Sequence, residues 1–459
     1  MLDEGVVKRV LAEALAGGGD WAEVYAEDRS STSLGLDDRR IERVSSGQDA
    51  GVGIRVVAGD RASYAYTNVF TEDALRDAAT AARAGLDGAP GTILDLRRAE
   101  GTPHRVRIPP DSVDVSTKVE ALKAADDAAR SSGAEVRQVG CSYAEIRQKV
   151  LVASSDGVWA EDDRTRVRFS CQVVAGRDGR IGTGHEAPGI SGGFELLEIR
   201  PAAEIGSIAA RKALTMLDAD PSPAGEFPVV LGPGGGGVLI HEACGHGLEA
   251  DTLVKDASVY SGRQGERFGS DIVTIVDDGT QPNAWGSFAF DDEGTPAQNT
   301  VLFDRGVLVG HLSDRRSARK IDAPPTGNGR RQSYRSLPIV RMTNTNLLPG
   351  PDDADEIIRG IGRGIYAVAF AGGEVNPATG NFVFGMSEAY MIIGGEIAHA
   401  IRGANLIGNG PEVLSRIEAV ASDLRSWDGV CGKDGQSAPV TTGMPTVLLS
   451  RMTVGGTET

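Results

Sequence analysis

The histidine motif at residues 241–246 restricts the fold of this chain more than any other segment. It reads His-Glu-Ala-Cys-Gly-His, so His246 follows His241 by five positions. In the common zinc-binding pattern H-E-x-x-H, the spacing of four places the histidines about 40° apart around a helix, where they share one metal. A spacing of five places them roughly 140° apart on a regular α-helix. One metal can join both only if the helix carries a π-bulge or ends between them, and Gly245 and Gly247 supply a permissive backbone for either.

The composition indicates a soluble α+β protein. With 459 residues, the chain is long enough for two or three domains of ordinary size. Its 61 glycines and its aromatic content of only 5% favour turns and short strands over a helical bundle.

Two stretches that contain proline divide the chain into three predicted domains. They lie at residues 97–110 and 218–225. We predict a mixed N-terminal α/β domain at 1–105, a central α/β domain at 106–220 and a C-terminal domain at 221–459. The last is expected to be mostly antiparallel β structure that carries the metal-binding helix. Periodicity predicts helices at 6–16, 72–85, 116–131 and 202–217, and strands at 21–27, 51–57, 135–143, 149–154, 167–175 and 227–231.

Charge and the N-terminal segment limit the partners and the location. The net charge of −17 argues against nucleic acid and anionic membrane as partners, because both attract basic surfaces. The chain begins with acidic residues and not with the basic flank of a signal peptide, and no apolar stretch reaches the eighteen or so residues that a membrane span needs. We therefore expect a cytoplasmic protein whose four cysteines are reduced thiols or metal ligands.

Two histidines need a third protein ligand to form a catalytic zinc site. Cys244 lies three positions after His241 and could reach the same metal, and Glu249 and Asp251 follow within two helical turns. Cys431 is distant in sequence, but a glycine and Lys433 follow it, and a lysine favours the thiolate that binds metal. The residues alone do not decide which of these is the third ligand. Cys431 is equally well explained as a buried free cysteine.

Other polar segments have less specific readings. The glycine-rich loop at 232–237 lacks the Gly-Lys-Ser/Thr ending of a phosphate loop. The acidic run at 291–293 fits a substrate channel or a group that orients a ligand histidine, but an acidic turn is the simpler interpretation. The arginine pairs at 315–316 and 330–331 are expected on a solvated or ion-paired face. Four histidines have no ligand-spaced partner and are expected at surface or packing positions: His104, His185, His311 and His399.

Several segments together identify a family. They are the histidine motif continued to residue 251, the Cys-Gly-Lys-Asp-Gly-Gln segment at 431–436, and the sequences at 291–296, 326–331, 338–345, 387–390 and 453–457. With these, residues 225–459 resemble the TldD branch of the TldD/PmbA family of zinc metallopeptidases. Residues 1–220 resemble it more weakly.

The resemblance implies a site and a reaction. His241, His246 and Cys431 would bind one Zn²⁺, and Glu242 would be the catalytic base that activates the water at the zinc. Cys244 would be a small core side chain. The substrates would be short or unfolded peptides, bound as an added strand, and the chain would be the catalytic subunit of a dimer with a metal-free PmbA/TldE-like homologue or with a second copy of itself.

Two alternative functions remain open on the sequence. A processing protease or amidase dedicated to one modified peptide natural product would show strict dependence on that substrate. A non-catalytic subunit with a structural zinc would show a closed site with four protein ligands, for instance with Cys244 bound as well. Two imidazoles and a thiolate also accept Co²⁺ or Fe²⁺.

Overall fold

Long antiparallel strands and two pairs of helices build the first half of the molecule. The computed structural model describes residues 1–86 and 91–457. The elements of this half are α1 (Glu4–Leu15), β1 (Trp21–Asp37), β2 (Arg40–Ala58), β3 (Arg61–Thr67), α2 (Glu72–Arg83), β4 (Arg97–Arg98), α3 (Val115–Ser131), β5 (Val136–Ser154), β6 (Val158–Arg177), β7 (Arg180–Glu186), β8 (Gly189–Ile190), α4 (Leu196–Ile199) and α5 (Ala202–Leu217).

One sheet joins these strands in the order β3-β2-β1-β5-β6-β4, and β7 and β8 also pair with β6. Helices α1 and α2 bury alanine and branched apolar side chains against β1 and β2, whereas α3 and α5 do so against β5 and β6. Asp3 and Thr71 cap the first two helices by accepting backbone N–H groups of the first turn. In the described part of this half, one continuous sheet therefore carries a separate hydrophobic cluster under each pair of helices.

The second half consists of short helices and two large sheets. Its elements are β9 (Asp220–Pro221), β10 (Gly225–Leu231), α6 (Gly237–Ile240), α7 (Ala250–Leu253), β11 (Ile275–Asp278), β12 (Asn299–Asp304), β13 (Val307–Leu308), α8 (Arg315–Lys320), β14 (Gly329–Arg330), β15 (Ile339–Val340), β16 (Asn344–Leu347), α9 (Ala354–Arg359), β17 (Arg363–Val375), β18 (Asn381–Ile393), β19 (Glu396–Arg402), β20 (Asn405–Asn409), α10 (Gly410–Ser415), β21 (Ile417–Val420), β22 (Arg425–Lys433), β23 (Gln436–Met444) and β24 (Val447–Gly455).

Pairing in the second half is mostly antiparallel, with parallel contacts at three places. Strands β17, β10, β24, β20 and β18 form a ring, because β17 also pairs with β18. The other large sheet has the order β13-β12-β11-β16-β23-β22, so β22 is an edge strand. The parallel pairs are β10 with β17, β16 with β23 and β9 with β19. Ile240 of α6 and, in the segment that follows it, Ala243 and Cys244 belong to the large hydrophobic cluster shared with both sheets.

The α+β class is confirmed, and so are the four predicted helices, within two residues at most ends. The two strands predicted at 135–143 and 149–154 are one strand, β5, because β1 and β6 pair with it on both sides through the intervening residues. The sheet of the first half runs across residue 105, and the three domain limits stay a prediction. Within the described ranges, no helix is both long and apolar enough to cross a membrane.

Candidate metal centre

A π-helical turn at His241–Gly245 interrupts the helical segment that begins with α6. The backbone N–H of His246 donates to the carbonyl of His241, five positions back, and a 3₁₀ turn at His246–Leu248 follows. This is the irregularity that the histidine spacing predicts. The Tyr260 hydroxyl donates to the Ala243 carbonyl at 2.9 Å, which satisfies a backbone group of the irregular turn.

The two glycines of the motif serve packing and not backbone conformation. Gly245 has ordinary helical dihedral angles, φ −56° and ψ −56°. A Cβ atom there would lie 1.9 Å from Sδ of Met342, and one at Gly247 would lie 2.7 Å from the ring of Tyr260. The sequence-based reason for these glycines was therefore wrong, because neighbouring side chains occupy the space of a Cβ atom.

Three donor atoms converge beside this turn. The Nε2 atoms of His241 and His246 each lie 3.3 Å from Sγ of Cys431, and all three atoms lie within 4.8 Å of one another. We call these three residues the donor group. For bond lengths of about 2.0 to 2.1 Å to nitrogen and about 2.3 Å to sulfur, tetrahedral geometry separates neighbouring nitrogen and sulfur ligands by about 3.6 Å. The donor types and their spacing thus fit one tetrahedral zinc with three protein ligands.

Cys431 reaches the histidines from strand β22, 185 positions after His246. It pairs with Ala438 of β23, and the guanidinium of Arg341 donates to its carbonyl. Burial alone would raise the pKa of this thiol, but hydrogen bonds and charge from His241 and His246 lower the pKa to about 4.

Lys433 does not have the role that the sequence suggested. Its Nζ donates to Oε2 of Glu249 at 2.9 Å and to Oδ1 of Asp251 at 2.7 Å. The thiolate of Cys431 is therefore favoured by the two histidines, while the lysine neutralises carboxylates that the sequence offered as metal ligands.

Glu242 lies beside the donor group and retains contact with solvent. Its Oε2 is 3.8 Å from Nε2 of His246, and 21% of its side chain is exposed, whereas His241 and Cys431 are buried. A carboxylate that is both near the donor atoms and reachable by water has the placement that a general base requires.

Cys244 points away from the donor group into the large hydrophobic cluster. It is fully buried, and its Sγ lies 4.0 Å from the hydroxyl of Tyr260. Burial raises the pKa of its thiol to about 12, so the neutral form is favoured. The prediction of a small core side chain is confirmed. Among the described residues, the clustered donor atoms come from His241, His246 and Cys431 alone.

The acidic run at 291–293 forms a turn, as the simpler interpretation predicted, but this turn is buried. Its three carboxylates are buried, and two of them join ion pairs with the first half of the chain. Arg164 donates to Asp292 at 2.6 Å, and Arg55 donates to Glu293 at 2.5 Å. We call the following set the buried ion-pair cluster: Glu23, Arg55, Arg164, Asp292, Glu293 and Arg331.

Arg331 is ion-paired, as one alternative for the second arginine pair predicted, but it is buried and does not lie on a solvated face. Its Nη2 donates to Oε1 of Glu23 at 2.5 Å and to the carbonyl of Asp292 at 2.7 Å, and its side chain is fully buried. Burial opposes the ionised form of Asp292, yet the charges of Arg164 and Arg331 hold the pKa of its carboxyl below the usual value. The only correct part of the expectation was the ion pairing.

The sequence offered Glu249 as a metal ligand and did not indicate its contact with His246. Oε2 of Glu249 lies 3.0 Å from Nδ1 of His246, so the carboxylate contacts the histidine and not the point where the donor atoms converge. The signal was a glutamate three positions after a candidate ligand histidine, at a spacing that brings side chains together in a helical turn.

Models of one protein family match successive parts of the chain. Sequence models of the PmbA/TldA metallopeptidase family match the chain in three parts: domain 1 at residues 22–85, the central domain at 108–217 and the C-terminal domain at 224–456. The donor group lies within the C-terminal match. These ranges span most of the described chain.

Whole-chain relatives and solved structures give the same result. The chain is 40% identical to a protein named Metalloprotease TldD homolog from Haemophilus influenzae, over 96% of this chain and 93% of that one. It is 36% identical to a metalloprotease from Methanothermobacter thermautotrophicus, over 95% and 96%. TldE from Thermococcus kodakarensis has a similar fold, with a TM-score of 0.77 at 20% identity over 98% of this chain and 100% of that one. The chain therefore belongs to the PmbA/TldD family of metallopeptidases.

Proposed function

We propose that this chain is a zinc-dependent peptidase that hydrolyses short or unfolded peptides, with Glu242 as the catalytic base. The observation that carries the proposal is the convergence of His241, His246 and Cys431 beside a part-exposed glutamate. Three protein donors leave the fourth position of a tetrahedral zinc for water or substrate. A structural zinc would take a fourth protein ligand, and the placement of Cys244 in the core argues against it.

Two groups would take part in the reaction, the metal and the side chain of Glu242. When bound, zinc would polarise the peptide carbonyl and lower the pKa of water at the site. The carboxylate of Glu242 takes the proton from the attacking water and delivers it to the nitrogen of the leaving amine, so that the C–N bond breaks and two peptide termini form. His241, His246 and Cys431 would hold the metal, and their donor atoms would therefore carry no proton in this scheme.

Peptide binding along the strand that carries Cys431 needs free backbone groups, and this strand offers few. The carbonyls of Gly429 and Cys431 already accept hydrogen bonds from Trp285 and Arg341. A substrate strand added at this edge of β22 would compete with those side chains. We therefore propose that the peptide approaches from the side of Glu242, where the donor group meets solvent.

A partner subunit is part of the proposal. The similarity of fold to TldE from Thermococcus kodakarensis supports pairing with a TldE-like homologue that lacks the donor group, and a second copy of this chain is the alternative. Mass measurement of the purified complex, with and without a co-expressed homologue, separates these two assemblies.

Replacing Glu242 with glutamine tests the role of the base. The amide keeps the shape but cannot accept the proton, so we expect peptide cleavage to fall by about 100-fold to 10,000-fold while zinc stays bound. The measurements are kcat/KM on an unstructured peptide and zinc per chain by elemental analysis. Glu266→Gln is the matched control, because Glu266 pairs with Arg263 at an exposed position. Cleavage by Glu242→Gln at the wild-type rate would contradict the mechanism.

A further inference from the structure

The two histidines of the donor group differ in what holds their second ring nitrogen. Nδ1 of His246 lies 3.0 Å from Oε2 of Glu249, a carboxylate that is 1% exposed. Nδ1 of His241 is buried and has no hydrogen-bond partner within the described part of the chain. Only His246 is therefore oriented by a charged group.

Lys433 contacts the same carboxylate. Its Nζ lies 2.9 Å from the same Oε2 of Glu249, 2.7 Å from Oδ1 of Asp251 and 3.1 Å from the carbonyl of Val340. His246 and Lys433 both contact Oε2 of Glu249, whereas its Oε1 is buried and has no partner among the residues that the structure describes. Because Lys433 follows Cys431 by two positions on β22, the contact ties the strand that carries the thiolate to the turn that carries the histidines.

We propose that Glu249 and Lys433 are positioning residues for the metal centre, an inference that rests on the proposed function. A carboxylate that accepts the Nδ1–H of His246 fixes the tautomer whose Nε2 lone pair is free, and it holds the ring with that atom toward Cys431. Lys433 keeps Glu249 in place and balances its buried charge. The extended backbone at Glu249, φ −72° and ψ 119°, lets its side chain reach back to His246.

A purely structural role for this contact makes a different prediction. If Glu249 and Lys433 only stabilised the fold, their loss would lower the unfolding temperature, but the folded protein would bind metal normally. A positioning role changes the affinity and the ligand geometry in the folded protein. Metal affinity and the absorption spectrum of bound Co²⁺ separate the two roles, because neither readout depends on catalysis.

The experiment compares four variants with the wild-type chain: Glu249→Gln, Lys433→Met, Lys433→Arg and Asp251→Asn. Zinc Kd is measured by chelator competition, and the Co²⁺ spectrum is recorded on protein whose folding is checked by circular dichroism. We expect Glu249→Gln to weaken zinc binding by about 10-fold to 100-fold and to change the Co²⁺ spectrum. We expect Lys433→Met to weaken it by about 10-fold, and Lys433→Arg to restore most of the loss. Asp251→Asn, which leaves His246 and Glu249 in contact, should change Kd by less than about threefold.

Each outcome bears on the inference. Wild-type Kd and an unchanged Co²⁺ spectrum in Glu249→Gln would overturn it and leave the proposed function intact. If Glu249→Gln does not fold, Lys433→Met tests the same contact from the other element, and wild-type values in that variant would overturn the inference equally. A wild-type chain that binds no zinc would overturn the proposed function and the inference together.

Discussion

The donor group and the buried ion-pair cluster both place polar side chains in the interior, but their contacts differ. In the ion-pair cluster, three guanidinium groups meet three carboxylates, and three of the four pairs cross between the two halves of the chain. In the donor group, two imidazole nitrogens and a sulfur converge on one another beside part-exposed Glu242. A set of charge-balanced ion pairs joins the two halves, whereas converging donor atoms beside a part-exposed carboxylate have the arrangement that the proposed chemistry needs.

Replacing each of the two cysteines of this region with alanine should give the largest expected difference, which is in zinc content. Cys431→Ala removes one of three metal ligands, so we expect zinc to fall from about one per chain to a trace and cleavage to fall with it. Cys244→Ala removes only a core sulfur, so we expect full zinc content and a loss of about 1 kcal/mol in unfolding free energy. Elemental analysis and urea unfolding of both variants make the comparison. Zinc retained by Cys431→Ala would remove the distant ligand from the site.

The second largest effect is expected in the buried ion-pair cluster. Arg331→Met leaves Glu23 and Asp292 short of a buried positive charge, so the unfolding free energy should drop by about 3 to 5 kcal/mol. Arg335→Met is the matched control, because Arg335 pairs with Asp49 where both are exposed, and its loss should be below about 1 kcal/mol. Urea denaturation measures both. Folded Arg331→Met should keep its zinc, and simultaneous loss of metal would show that the two regions are not independent.

Acid sensitivity gives the smallest and most specific test. The pKa of Asp292 is below its ordinary value of 3.8 in the folded chain, so its stabilising contribution is complete above that value and is lost as pH falls through the folded pKa. The wild-type unfolding free energy should therefore fall more steeply below about pH 4 than that of Asp292→Asn, by up to about 1.4 kcal/mol per pH unit. The measurement is urea unfolding in a pH series. Parallel curves would mean that Asp292 does not titrate with a lowered pKa.

Some parts of the candidate site could be predicted from the sequence, and others could not. The spacing of His241 and His246 predicted an irregular turn because helix geometry is local, and the resemblance supplied Cys431 and Glu242. The contact of Lys433 with Glu249 joins elements 184 positions apart, and no local pattern shows which charge meets which. The closeness of Lys433 to Cys431 in the sequence therefore led to the wrong partner for the lysine.

The fold shows the same limit. Helices with apolar residues at regular spacing were predicted well, since burial of one helix face follows from the sequence itself. The burial of the acidic turn at 291–293 was not predicted, because its ion-pair partners Arg55 and Arg164 lie on strands of the first half. Charged residues are normally exposed, and only the tertiary structure shows when a distant partner makes their burial stable.

The order of the donor group along the chain has a consequence for biosynthesis. Both histidines leave the ribosome well before the thiolate, because Cys431 follows His246 by 185 positions. A nascent chain therefore carries two donor atoms without the third, and β22 cannot pair with β23 until still later residues are made. The donor group is thus completed only after β22 and β23 have been synthesised, so that the order of synthesis itself delays the convergence of its three donor atoms.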